Sequence, residues 1–320
     1  MDSIAWPGAF RAARAWGSLC LLPLLAIYSA LARAAPEPVS VAPGVYALIA
    51  DKGEISTQNR GVVGNAGFIV GSSGVVVIDT GISYRYGNEM LASIASVTAL
   101  PIELAIISHP VQEFLFGAAA FQERGIPVLA QQKAAELMRN RCEACLKNLR
   151  RLLGEDEMRG SRVVTPDRIV DQTTRLSIGG RELDLLYFGW ASTPGDLAIF
   201  DRITGVLFAG GLISVERIPE LRDADLQGWI KALKRLNTLP IKAVVPAHGP
   251  VVDHEQMHRT LDYLGALEDK VRELYRSGAS LTETIARAQL PAFQSWSLYS
   301  VVHPQNVQHV YLRLENEDFN

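Results

Sequence analysis

The residues with the most capacity for chemistry cluster in Ser108-His109-Pro110-Val111-Gln112-Glu113-Phe114-Leu115-Phe116-Gly117. This stretch follows Leu104-Ala105-Ile106-Ile107, an apolar run that reads as a short buried strand. His109 therefore stands where a strand ends and a loop turns into the next helix. In open α/β folds that edge is where ligands and metals bind. Glu113 falls just before a helix, a place where the helix dipole alone favours a carboxylate. Asp79 closes an earlier run, Val75-Val76-Val77-Ile78, and a carboxylate at a strand end can cap neighbouring loop N–H groups.

Two further motifs carry different chemistry. His254-Glu255-Gln256-Met257-His258 matches H-E-x-x-H, which on a helix sets two imidazoles on one face with the glutamate as base. Glu268 or Glu273 would be its nominal third ligand. The motif follows directly on a proline-bounded loop, Pro246 to Pro250, and lacks a flanking sheet, so it reads as a surface helix. Cys142 and Cys145 form a lone C-x-x-C on a helical stretch, without the second pair a zinc ribbon needs. In an oxidising compartment they are expected as a local disulfide, whose loop is too small to add much chain-entropy stabilisation. No G-x-S-x-G elbow, Walker loop or dinucleotide fingerprint occurs, so neither a nucleophilic serine nor a phosphate cradle is indicated.

The composition is that of an ordinary globular chain: 320 residues, 48% hydrophobic, 20% charged, net charge −3. With no basic excess, nucleic acid is not an expected partner. The N-terminus differs in kind. Arg11 and Arg14 precede an apolar run from Leu19 to Leu31, and Ala32-Arg33-Ala34 follows. A basic start, an apolar segment too short to span a bilayer and an A-x-A ending make residues 1–34 a secretory signal peptide, cleaved after Ala34. Cleavage removes Asp2, Arg11, Arg14 and Arg33, a net +2, and takes the charge from −3 to −5. The expectation is an exported, periplasmic protein with no membrane association after cleavage.

Periodicity supplies the elements that must position these residues. Strands are expected at 44–49, within 61–70, and at 74–79, 104–108, 127–130, 196–200, 206–209 and 243–246, with two more across 175–188 around Gly179-Gly180. Helices are expected at 84–97, 115–124, 131–153, 226–236, 255–276, 281–289 and near 306–314. Strands in two groups, with helices before, between and after, imply an α/β sandwich of two mixed sheets with helices outside. Residues 35–252 read as one domain, and 253–320 as a helical extension packed on it.

Four loops besides the His109 stretch carry a family resemblance: Val77-Ile78-Asp79-Thr80-Gly81, Ala191-Ser192-Thr193-Pro194-Gly195-Asp196, Leu207-Phe208-Ala209-Gly210-Gly211-Leu212 and Val245-Pro246-Ala247-His248-Gly249-Pro250. In order and spacing they resemble loops of the metallo-β-lactamase fold family. The resemblance implies an αββα sandwich with a dinuclear zinc site. Carried over position by position, His109 keeps the first place of H-x-H-x-D-H. Val111, Glu113 and Phe114 stand where the second His, the Asp and the third His belong. Ser192 takes the place of the His in A-H-T-x-G-D, and Gly211 that of the bridging Asp in F-A-G-D. His248 is retained. A four-ligand zinc site is worth about 10–16 kcal/mol, on the order of 3 per ligand. The first metal position, reduced to His109, is expected empty. The second, reduced to Glu113 and His248, is expected to hold at most one weakly bound zinc ion, and no metal at all is the leading expectation. Val111 and Phe114 bring apolar bulk, and Gly211 removes a carboxylate that would be a costly buried charge without dications beside it.

Within the family the chain is similar to the exported branch called quinoprotein relay system zinc metallohydrolases. The likeness rests on Asn59-Arg60-Gly61, Asn65-Ala66-Gly67-Phe68-Ile69-Val70-Gly71, Arg217-Ile218-Pro219-Glu220-Leu221-Arg222-Asp223 and the helical tail. It implies a link to periplasmic oxidation systems that use pyrroloquinoline quinone and cytochromes. The leading expectation is an accessory or binding protein with a degenerate zinc site, bounded by Asp79, Val111, Phe114, Ser192 and Gly211. One alternative is a hydrolase with a single zinc ion on His109, Glu113 and His248, Glu113 being ligand or base, acting on an ester, thioester or lactam. The other is a metal-free protein that binds a small ligand in the same pocket.

Overall fold

The computed structural model describes residues 35–318; the expected signal segment, residues 1–34, lies outside them. The chain runs β1 (Val39–Ala42), β2 (Val45–Leu48), β3 (Ala66–Val70), β4 (Val75–Ile78), α1 (Tyr84–Val97), β5 (Ile102–Ile107), α2 (Gln112–Leu115), α3 (Ala118–Gln122), β6 (Val128–Gln131), α4 (Gln132–Leu153), α5 (Glu155–Met158) and β7 (Arg168–Val170). It continues β8 (Thr174–Ile178), β9 (Arg181–Leu186), β10 (Ala198–Asp201), β11 (Val206–Phe208), α6 (Leu226–Leu236), β12 (Ala243–Val245), α7 (His258–Arg276), α8 (Leu281–Arg287) and α9 (Tyr299–Asp318).

β1 to β7 form one sheet in sequence order, and the second sheet runs β12-β11-β10-β9-β8. Both are mixed: β4 to β7 pair in parallel after an antiparallel start, and β11 pairs in parallel with β12 beside antiparallel neighbours. The wholly apolar run of β4 explains why it lies inside. Val75 and Val77 face the helices α1, α3 and α4, while Val76 and Ile78 face the second sheet. Ile69, Leu104, Ile106, Ile199 and Phe208 complete the layer between the sheets. On the far side, α6, α7 and α9 bury Trp229, Tyr263, Leu267 and Val310 with Leu207 of the second sheet. This is the αββα sandwich expected, with the C-terminal helices sharing its outer core.

Some local readings need correction. Helix 115–124 is two short pieces, α2 and α3, broken at Phe116-Gly117, where Gly117 N donates to Gly81 O at 3.0 Å instead of back into α2; Gly117 sits so close to Thr80 that a Cβ would come within 1.8 Å of its carbonyl oxygen. Residues 254–257 form turns, and α7 begins only at His258. Cys142 and Cys145 are free thiols, not the expected disulfide. α4 runs unbroken through both, and Cys142 is fixed in the core beside Met138, Leu146 and Leu149. A hydrogen bond to Cys142 pulls the Cys145 thiol down to about 6. Among the described residues no helix is long and apolar enough to cross a membrane.

Candidate functional site

Five loops leave one edge of the sandwich. β4 ends at Asp79, β5 at Ser108-His109, residues 192–197 lead into β10, β11 runs on into Ala209-Gly210-Gly211, and β12 into Ala247-His248. Backbone bonds fasten these loops to each other. Leu197 N donates to Ser108 O at 2.7 Å, Ala209 N to Val245 O at 2.9 Å, and Ala247 N to Ile213 O at 2.8 Å.

Asp79 is the anchor of the first loop. Its backbone is left-handed, at φ 59°, an unusual conformation for a non-glycine residue that a site must hold in place. Its buried carboxylate accepts from Ser108 N at 2.8 Å and Ser108 Oγ at 2.7 Å. Burial pushes its pKa up to about 7, against the pull of those two hydrogen bonds. Ser108 Oγ also lies 2.8 Å from His109 Nδ1. A hydroxyl has one proton, and here it goes to Asp79 Oδ2; Nδ1 of His109 is then the donor and Nε2 carries the lone pair. Burial pushes His109 down to about 3, so the ring is neutral.

Phe114 is fully buried and packs on both histidines, with ring centroids 4.1 Å from His109 and 5.6 Å from His248. Gly64 makes room for it, since a Cβ there would sit 2.5 Å from two atoms of the ring. Glu113, in the first turn of α2, is buried, and its Oε1 is 3.7 Å from His248 Nε2. Burial raises its pKa, and Arg217 opposes the rise. His248 Nδ1 lies 2.8 Å from Val63 O, which fixes Nδ1 as the protonated nitrogen. Arg217 Nη1, 3.3 Å from that same Nδ1, therefore brings a second donor rather than an acceptor. Burial first, and Arg217 second, hold His248 well below its ordinary pKa.

On the second sheet the centre of gravity is Asp196. It accepts from Ser192 Oγ at 2.9 Å, Thr193 N at 2.7 Å and Thr193 Oγ1 at 2.8 Å. Burial raises its pKa to about 6 despite these donors. Ser192 thus turns its hydroxyl to Asp196. Gly211 closes against the same group: a Cβ would meet Ser192 Oγ at 2.6 Å and His109 Cδ2 at 2.8 Å.

His109, Val111, Glu113, Ser192, Gly211 and His248 line one cleft of about 580 Å3, its mouth included. Asp79 and Phe114 lie behind them. The other wall belongs to the segment 214–223, with Trp229. That wall was legible only as part of the family likeness; its basic residues were not read as site residues. The C-terminal extension pins it. Ile218 N donates to Ser297 O at 3.0 Å, Asn306 Nδ2 to Pro219 O at 2.8 Å, and Leu221 N to Asn306 Oδ1 at 3.0 Å. The H-E-x-x-H residues lie elsewhere. His254 Nε2 faces Asn237 O at 3.3 Å, and Glu268 is taken up by Arg272, Arg313 and Gln227.

A dinuclear zinc centre does not fit these residues. The Phe114 ring packs on His109 and His248, Ser192 is committed to Asp196, and a side chain at Gly211 would press on Ser192 Oγ and the His109 ring. Among the described residues no three His, Cys, Asp or Glu side chains converge on one point.

Comparison with known proteins supports the fold independently. A family model described as the metallo-beta-lactamase superfamily matches residues 59–248. A metallo-beta-lactamase from Pontibacter korlensis superposes with a TM-score of 0.59 at 25% identity, over 72% of this chain and 98% of that one. The stereoselective inverting sec-alkylsulfatase Pisa1 from Pseudomonas sp. gives a TM-score of 0.68 at 18% identity, over 87% of this chain and 50% of that one. This chain spans half the sulfatase's length, and the likeness to it is one of fold. No curated protein matches the sequence. Residues 59–248 are more than half of the chain and hold every loop of the cleft, so the protein belongs to the metallo-beta-lactamase superfamily.

Proposed function

We propose that this protein is an exported accessory or binding protein of the superfamily, its dinuclear zinc site lost, working beside periplasmic quinoprotein oxidation. The observation that carries the loss is Phe114. Its buried ring, packed on His109 and His248, stands where a metal ligand would, and Gly64 is shaped to receive it. Restoring a metal would mean displacing an aromatic side chain, not merely filling a vacancy. Export rests on residues 1–34 of the sequence, and the quinoprotein link on the motifs of that branch.

Zinc content of the protein purified without chelator tests the loss. Well under one zinc per chain is expected; two tightly held zinc ions per chain would overturn the proposal. The mononuclear alternative has one observation of its own, the 3.7 Å approach of Glu113 to His248 Nε2. It predicts hydrolysis of an ester, thioester or lactam that disappears in both His109→Ala and His248→Ala. The proposal expects no such turnover. Mass analysis of the secreted protein, with Ala35 as first residue, checks the cleavage.

A further inference from the structure

We propose that the cleft binds a small organic carboxylate, with its head group held by the Arg217 guanidinium. This rests on reading the cleft as a metal-free binding site. Arg217 is only 5% exposed, yet among the described residues no carboxylate oxygen lies within 4.0 Å of its nitrogens. Its one hydrogen bond runs from Nη1 to Gly53 O at 3.2 Å, because the contact with His248 Nδ1 joins two donors. A guanidinium has five N–H groups in a planar fork. Four of them are left without an acceptor in the protein. These open N–H groups still reach the water of the cleft, since none of them is among the fully buried, unpartnered side-chain atoms, and an anion entering the cleft would meet them.

The segment nonetheless holds Arg217 firmly. Ser214 Oγ donates to the Arg217 carbonyl at 2.9 Å, and Ser297 N donates to Glu216 O at 2.9 Å. Glu216 itself is left-handed, at φ 57°, so the turn that presents Arg217 is built against local preference. Rigid support beneath an unpaired guanidinium is the mark of a preorganised anion site.

The surroundings choose the anion. A planar, two-oxygen group matches the guanidinium fork in a way a point charge does not. Glu113, Glu220 and Asp223 also line the cleft, against Arg217 and Arg222, so a dianion would meet more repulsion than a monoanion. Val111, Ile218 and Trp229 supply an apolar wall for a short hydrocarbon body. The enclosed part of the cleft is small, about 70 Å3, so only a short hydrocarbon body fits behind the head group.

The test is calorimetric titration of the chain lacking residues 1–34, in buffer containing chelator, with hexanoate, its neutral counterpart hexanamide, and sulfate. Saturable binding of hexanoate is expected, with hexanamide and sulfate much weaker. Arg217→Gln should weaken hexanoate by about tenfold or more. Arg222→Gln, at the mouth, should change it by less than about threefold. Should Arg217→Gln fold poorly, Arg217→Lys keeps the charge but not the fork, and should still lose affinity. Equal binding of hexanamide, tighter binding of sulfate, or an unchanged Arg217→Gln would overturn the assignment. A repeat with added zinc separates the two levels. Hexanoate binding that appears only with zinc, and survives Arg217→Gln, overturns the metal-free reading as well. No binding with or without zinc overturns the carboxylate assignment alone.

Discussion

Arg181 and Arg217 are both buried, at 8% and 5% exposure, and they sit at opposite edges of the sandwich in opposite circumstances. Arg181, at the edge away from the cleft, has partners for four of its five N–H groups. It pairs with Asp201 at 3.1 Å, and gives further bonds to Val70 O at 2.7 Å and Pro43 O at 2.8 Å. It ties β9 and β10 of one sheet to the β1–β3 end of the other. Arg217 has one carbonyl and a neutral histidine ring for company. The same side chain is a staple at one edge and an open hand at the other, and what separates them is the acceptor count. Burial alone does not mark a functional residue; burial without partners does.

The staple gives the largest expected effect. Arg181→Met leaves Asp201, which is fully buried, without its counter-charge, and should cost about 3–5 kcal/mol of unfolding free energy in a denaturant titration. Carboxylate binding in the cleft should survive wherever the variant is folded. A loss below about 1 kcal/mol would dissolve the contrast, since then neither arginine would be structural.

Phe114 offers an intermediate case, a side chain whose fit is set by the glycine facing it. Gly64→Ala places a Cβ 2.5 Å from the ring, and should destabilise by about 1–3 kcal/mol through overpacking. Phe114→Leu in the same chain should recover most of that loss, and a double-mutant cycle measures the coupling. Simple addition of the two effects would mean that Phe114 is loosely held, and that a metal ligand could be regained there easily.

How much of this could be read beforehand follows from how local each signal is. α1 and α6 have the boundaries expected, because their apolar periodicity is framed by Ser83 and Asp225, whose side chains accept from the first-turn N–H groups. β4 and β5 are legible because burial on both faces needs an unbroken apolar run. β1 and β7 escaped notice, being three or four residues long and largely exposed or half-buried. At the site, the places of His109, Glu113 and His248 followed from loop order. The closure around Gly211, and the hand-off of Ser192 to Asp196, did not, because they depend on distances between separate loops. Arg217 was hidden for the same reason. Its presentation depends on Ser297 and Asn306, roughly eighty to ninety residues on, and no periodicity in its own segment reports them.

The extension that supplies those clamps has its own pH signature. His303 is buried, with Nε2 2.7 Å from Ala288 O and Nδ1 3.0 Å from Tyr263 Oη, and burial lowers its pKa. The unfolded chain takes up a proton below the ordinary histidine value of about 6.5, and the folded chain resists it. The stability this group contributes is thus full above about 6.5 and lost as pH falls toward its folded pKa. The loss runs at about 1.4 kcal/mol per pH unit. His109 and His248 act with the same sign, whereas Asp79 and Asp196, raised to about 7 and about 6, act against them. Subtracting a His303→Gln denaturation series from the wild-type series isolates one histidine. A difference that is flat between pH 6.5 and 5.5 would mean that the clamp helix opens to water.

Arg217→Met should give the smallest change in stability, and its smallness is what distinguishes the two edges. The substitution gives up one hydrogen bond to Gly53, worth about 1 kcal/mol, and removes a largely buried cation that has only that carbonyl and cleft water for partners. These nearly cancel, so unfolding free energy without ligand should stay within about 0.5 kcal/mol of wild type, with a slight gain as natural as a slight loss. Ligand separates the two proteins. Hexanoate at a hundred times its dissociation constant should stabilise the wild type by about 2.7 kcal/mol and leave the variant where it was. A ligand-free loss as large as that of Arg181→Met would mean that Arg217 holds the fold together, and its empty N–H groups would then need a partner from within the chain.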